Sequence, residues 1–292
     1  MIFPRMDSLW AGCLSYLDSV RLRPGIVLVA AAIADFWSLI FPTECAVCGR
    51  ASVSLCLECQ AKIREATVHP FRADGAAPAL PQADRPALST ADSNCLESLP
   101  VTAAGHYRAT LARLILAYKS HHRTDIVRPL QAALASALHA AVNELRRGGE
   151  PAQILLVPAP PKGRSMRRRG YDPVAVLLNG LERRGELPAG CQQARLVRYP
   201  GAVGQIGPLL EGRNRPQHQK GLGRSQRRAN VRFTMTERRT RDSVQSAVCL
   251  VVDDVLTTGA TIAEVTRVLR LGGARVVGGV VVAATAPPSG AE

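Results

Sequence analysis

Aromatic residues make up only 4% of this 292-residue chain: two Trp, five Tyr and five Phe. The most basic stretch, residues 213 to 241, contains just one of them, Phe233. Binding of single strands by base stacking needs a series of aromatic platforms, so this scarcity argues against it. No Gly-rich loop ending in Gly-Lys-Ser or Gly-Lys-Thr occurs anywhere, which removes a P-loop ATPase. An uninterrupted apolar run of the 18 or so residues that a membrane helix requires is also missing. The nearest approach, "IVLVAAAIADFWSLIF" at 26 to 41, is short and carries Asp35. It begins late and has no obvious small-residue cleavage site, so it does not read as a signal peptide. It reads as a helix packed on the body of the protein, after a loose extension over residues 1 to 24.

Acids are scarce relative to bases, 23 Asp and Glu against 37 Lys and Arg, for a formal charge of +14. Such a field attracts nucleic acid, anionic membrane or phosphorylated small molecules without choosing among them. Residues 213 to 241 hold ten Lys or Arg against one acid, Glu237, and Lys162, Arg164, Arg167, Arg168 and Arg169 form a second cluster. A charge run of this kind can equally be a solvated face or loop. At 47% hydrophobic and 21% charged, the composition is that of a soluble globular protein, and the length fits one main domain with a small appendage.

Four of the eight cysteines form "CAVCGRASVSLCLEC": Cys45 and Cys48, then seven residues, then Cys56 and Cys59. Each CxxC turn can aim two thiolates at one ion, and two such turns complete a tetrahedral four-sulfur zinc site. A full set of four leaves no open position, so the expected zinc is structural. Without a secretory signal the expected compartment is the reducing cytoplasm, which disfavours disulfides. A thioredoxin-type motif would be a single CxxC beside a βαβ unit. Cys13, Cys95, Cys191 and Cys249 lack partner spacing and read as ordinary thiols.

The predicted organisation is an N-terminal extension with an apolar helix (1–40), a zinc knuckle (41–66), a linker (67–100) and a main domain (101–292). The linker "PFRADGAAPALPQADRPALSTADSNCLESLP" is rich in Ala and Pro and has no apolar period. Beyond it, "YRATLARLILAYKSHH" places Leu111, Leu114, Ile115 and Tyr118 on one helical face, and "IVRPLQAALASALHAAVNELRR" predicts a second helix ended by Gly148 and Gly149. "ILLVPAP", "ARLVRY", "VCLVVDD" and "ARVVGGVVVAATA" read as strands, with helices over "PVAVLLNGLERRG" and about 262 to 271 between them. Strands alternating with helices predict a parallel sheet flanked by helices, an α/β fold.

In open parallel sheets ligands sit beyond the carboxyl ends of the strands. Asp253 and Asp254 stand at such an end, followed by Thr257, Thr258, Gly259, Ala260 and Thr261. Thr261 and Glu264 have the spacing of a capping box, which predicts a helix start there. The loop amides, the hydroxyls and the positive helix end suit a phosphate. The carboxylates suit the vicinal hydroxyls of a ribose and can help hold a hydrated metal ion. A phosphate beside a diol describes a ribose 5-phosphate.

The stretch "LVVDDVLTTGAT" resembles the binding motif for phosphoribosyl pyrophosphate in type I phosphoribosyltransferases. Residues 40 to 289 are similar to the ComF family within that superfamily, which includes competence-associated ComFC proteins and GntX-like proteins. The resemblance rests further on the cysteine knuckle preceding the domain, on "YRATLARLILAYK", on "VPAP" with "RRRGYD", and on "QKGLGRSQRRANVRF". Asp172 and Pro173 stand where the family has Asn and Gln, and no Thr stands just before Gln219.

The resemblance implies an intracellular pentosyl-transferring enzyme that uses phosphoribosyl pyrophosphate with Mg²⁺ and an unidentified nitrogenous acceptor. Asp253 and Asp254 would bind the ribose hydroxyls and indirectly the metal, and residues 257 to 261 the 5-phosphate. Lys162, Arg164 or Arg169 would contact pyrophosphate, with Gln219, Arg227 and Asn230 on a mobile cover. The alternative it leaves open is a non-catalytic nucleotide sensor or assembly component of DNA uptake, with single-stranded DNA and a helicase as partners. A homo-oligomer is compatible with either.

Overall fold

The computed structural model describes residues 44–84, 97–120, 123–200, 234–238 and 244–285. The extension and the helix expected over 26 to 41 lie outside them. The chain divides into two compact units, residues 1–56 and 57–292. In the described part of the first, Glu44 bridges Ala51, and the Gly49 amide donates to the Cys45 carbonyl. The tight turn after Cys48 is completed by Gly49 at φ 77°, a conformation glycine adopts without the Cβ penalty.

The second unit contains, in chain order, α1 (Leu57–Thr67), β1 (Phe71–Arg72), β2 (Val101–His106), α2 (Ala109–Ser120), α3 (Val127–Arg147), β3 (Ile154–Pro158), α4 (Gly163–Arg169), α5 (Pro173–Arg183), β4 (Cys191–Gln193), β5 (Val197–Arg198), β6 (Thr236–Glu237), β7 (Val248–Leu256), α6 (Ala260–Leu271) and β8 (Arg275–Ala284). Six strands form one sheet in the order β1-β2-β8-β7-β3-β4. All neighbours are parallel except β1, which pairs antiparallel with β2 at the edge. After Arg275 every residue of β8 is buried. That is why its sequence is continuously apolar instead of alternating: a parallel strand covered on both faces has no solvent side.

The helices supply the cover. In α2, Leu111, Leu114, Ile115 and Tyr118 are all buried, the face that their spacing predicts. α3 buries Leu130, Leu134, Leu138 and Val142 and stops at Arg147, just before Gly148. α5 begins at Pro173 with Asp172 as N-cap, whose carboxylate accepts from the Ala175 amide at 3.1 Å.

Three expectations change, and one strand appears that the sequence pattern does not predict. The segment read as a strand at "ARLVRY" contributes only β5, which pairs antiparallel with β6 in a separate two-stranded ribbon; β4 takes the place beside β3. β2, "VTAAGH", lacks the β-branched density that marks a strand and went unpredicted. Residues 71 to 84, expected as linker, supply edge strand β1 and bury Ala73 and Ala77 in the main core. The helix expected from about 262 begins at Ala260 with Gly259 as N-cap and no side-chain cap hydrogen bond, so Thr261 and Glu264 do not form a capping box.

Candidate functional site

The carboxyl ends of β3 and β7 open into a cleft of about 360 Å³. Asp253, Asp254, Thr257, Thr261, Lys162 and Arg169 all line it, so residues spread over a hundred positions of sequence converge on one space. The side chain of Arg164 is not described, although its backbone belongs to α4. Gln219, Arg227 and Asn230 lie outside the described residues.

The two acids both line the cleft, and each has its own close contact. Asp254 meets α2: the Lys119 ammonium lies 2.7 Å from its Oδ1. Asp253 accepts the Asp254 amide at 2.8 Å through Oδ1 and lies near enough to Tyr199 to act on its charge. Burial pushes the Asp253 carboxyl well above the usual range, the Asp254 charge adds to the rise, and Lys119 opposes it. The cation in direct contact with the pair is thus Lys119, at Asp254.

The loop after β7 is built for close backbone approach. Gly259 has φ 82°, and a Cβ added there would fall 2.8 Å from Leu80 Cγ. The Ala79 amide donates to the Thr258 carbonyl at 2.9 Å, so the former linker buttresses this loop from behind. The Thr258 hydroxyl accepts from the Ala260 amide at 3.4 Å. α6 leaves the loop directly, so the positive end of the helix lies at the loop.

Across the cleft, α4 ends with Gly170 in the left-handed conformation at φ 74°. Arg169 lines the opening, and its buried Nε has no hydrogen-bond partner among the described residues. Asp172 also lines the cleft; burial raises its carboxyl, partly offset by the Ala175 amide. It is also the N-cap of α5, a role that Asp and Asn perform almost equally well. Tyr107, Lys119 and Tyr199 line the cleft as well and were not anticipated as site residues. For Lys119 the signal was present in "LILAYK", where a cation follows the last buried residue of a helix.

The four cysteines are the second candidate site. Cys45, Cys48, Cys56 and Cys59 bring their sulfurs within 4.8 Å of one another. Cys45 and Cys48 lie 3.8 and 3.7 Å from Cys56. A zinc–sulfur bond of about 2.3 Å implies a tetrahedral edge of about 3.8 Å, whereas a disulfide would need about 2.05 Å. Burial resists ionisation of Cys45, but hydrogen bonds from the Cys48, Cys56 and Val47 amides and from the Cys48 thiol outweigh it and hold the thiol below its ordinary range. The cluster can bind a metal such as zinc.

Among the described residues no helix is long and apolar enough to cross a membrane. No family model matches the chain. It is 25% identical over 182 residues to competence protein F of Haemophilus influenzae, which covers 61% of this chain and 71% of the other. That similarity supports a ComF-like relationship.

Proposed function

We propose that the cleft binds phosphoribosyl pyrophosphate with Mg²⁺ and that the protein transfers the phosphoribosyl group to a nitrogenous acceptor. One observation carries this reading: the acid pair, Thr257 and Thr261 from the following loop and helix start, and cations from two other elements share one cleft at the carboxyl edge of a parallel sheet, although Thr258, Gly259 and Ala260 do not line it. In such sheets this edge is where ligands bind.

Each residue has a chemical task in this reading. The 257–261 loop would hold the 5-phosphate with backbone amides and hydroxyls. Asp253 and Asp254 would accept from the ribose hydroxyls and orient C1. Lys162 and Arg169 would stabilise the charge that develops on departing pyrophosphate. Among the described residues only the cysteines group three or more metal-ligating side chains. Mg²⁺ would therefore arrive on the ligand's phosphates with support from Asp253 and Asp254, as hard oxygen donors allow; when bound it neutralises phosphate charge. Zinc at the cysteines would be structural, since four thiolates leave no open position.

The test is calorimetric titration of phosphoribosyl pyrophosphate with Mg²⁺ into zinc-loaded wild type and Asp254→Ala. Saturable binding that the variant loses supports the reading and justifies screening acceptors for pyrophosphate release. A well-folded wild type that does not bind sinks it. The similarity to a competence protein and the +14 charge favour one second reading: a nucleotide-sensing or single-stranded-DNA-binding component of DNA uptake, with a helicase as a further partner. Salt-dependent retention of oligonucleotides without pyrophosphate release would favour that one.

A further inference from the structure

Among the described residues Glu264 is the one acid in the buried class, 3% exposed, and its use is not explained by the helix it sits on. Burying a charge costs several kcal/mol unless it is paired and hydrogen-bonded, so the fold retains it for what it holds. Glu264 Oε1 accepts the Thr234 amide at 2.9 Å and the Met235 amide at 3.1 Å. Arg267, one turn on, donates to both Glu264 oxygens at 2.8 and 2.9 Å and to the Met235 carbonyl at 3.3 Å.

These bonds fasten the start of the returning chain, immediately before β6, to the helix that leaves the Thr-Gly loop. β6 pairs with β5 through Val197↔Glu237 and Arg198↔Thr236, and the Arg238 amide donates to the Leu196 carbonyl at 2.7 Å. Two residues per strand make a ribbon too short to hold itself. Leu196, Val197 and Met235 are buried in the main core, and the Glu264–Arg267 pair supplies the polar anchor. The residue that emerges from β5 is Tyr199, which lines the cleft with Asp253 and Thr261.

We propose that Glu264 is a positioning residue for the cleft: by clamping the β5–β6 ribbon to α6 it holds Tyr199 in place as part of the ligand-binding wall. The clamp thus ties Tyr199 to the element that carries the phosphate loop, so the two halves of the site keep a fixed spacing. Tyr199's own surroundings agree, since burial pushes its phenol up to about 12 and the Asp253 and Glu264 charges both add to the rise.

The ligand part of the test rests on the proposed phosphoribosyl pyrophosphate site, and the positional part does not. Wild type, Glu264→Gln, Tyr199→Phe and the double variant are labelled with 3-fluorotyrosine, and the Tyr199 fluorine signal is assigned by its loss in Tyr199→Phe. In folded Glu264→Gln that signal shifts or broadens while the other tyrosines keep theirs. Affinity for phosphoribosyl pyrophosphate with Mg²⁺ falls on the order of tenfold in each single variant, and the double variant is little weaker than the worse single, because neighbours acting through one contact are not additive. An unmoved Tyr199 signal in folded Glu264→Gln overturns the proposal, as do additive losses or a Tyr199→Phe that binds as wild type does. If wild type fails to bind, the function proposed above falls while the fluorine signal still decides the clamp. Should Glu264→Gln not fold, Arg267→Lys removes the two-pronged contact more gently, and it must move the same signal in the same direction.

Discussion

Replacing Gly259 by Ala tests whether the loop after β7 is a preorganised cradle or an ordinary connection. Two separate penalties follow from its geometry. At φ 82° a residue with a Cβ pays roughly 1–2 kcal/mol for the left-handed conformation. The new Cβ would also stand 2.8 Å from Leu80 Cγ and 2.9 Å from Leu80 Cδ2, with the Leu80 amide nitrogen at 3.2 Å. The methyl groups can turn away and the backbone nitrogen cannot, so relief is partial and overpacking adds about 1–3 kcal/mol. Together Gly259→Ala should destabilise by roughly 2–5 kcal/mol, read as a lower urea midpoint at unchanged slope. Adding Leu80→Ala removes the Cγ clash but not the backbone strain, so the double variant should be less destabilised than the sum of the two singles. A Gly259→Ala protein within about 0.5 kcal/mol of wild type would refute the idea that residues 79 and 80 buttress this loop.

Other changes give distinct signatures. Because the folded protein raises the Asp253 carboxyl, it holds a proton that the unfolded chain releases. That stabilising contribution is complete below the ordinary carboxylate range and is lost as pH rises through the elevated value. Asp253→Asn, which keeps an oxygen for the Asp254 amide, should therefore match wild type below about pH 4 and gain stability relative to it as pH rises through the elevated value; a gain independent of pH between about 4 and 9 would contradict this. Lys119→Met leaves Asp254 without its 2.7 Å cation. The expected loss is about 1–2 kcal/mol, below that of a fully buried pair because both side chains are part-exposed, and Asp254→Asn in the same background should recover some of it in a double-mutant cycle. Elemental analysis should find one zinc per chain, and Cys56→Ser, which removes the sulfur shared by the two close contacts, should lower that ratio and expose the knuckle to proteolysis. Full zinc retention in Cys56→Ser would rule out the four-sulfur site.

The features legible in the sequence were those whose physical cause is local. The CxxC pairs need only two turns, and their sulfurs do converge. β7 and β8 announce themselves because strands covered on both faces become unbroken apolar runs, and α2 because its buried face repeats at helical spacing. What was hidden depends on partners distant in sequence. β2 reads as small residues without a period, and only its position between β8 and the edge strand makes it a strand. The Ala- and Pro-rich run looked like a linker because nothing in it shows that Ala79 and Leu80 would meet the loop at Thr258 and Gly259. Glu264 is the sharpest case: its spacing from Thr261 fits a local cap, yet its carboxylate is spent on amides thirty residues away. A capping-box motif fits any helix start, and here the helix was capped by a glycine, which freed the acid for another partner. Lys119 follows the same logic, as the end of a helix that supplies the counter-charge for an acid more than a hundred residues later. In this chain a local motif places the acid pair at the end of a strand, while long-range partners decide how Asp254 and Glu264 are held.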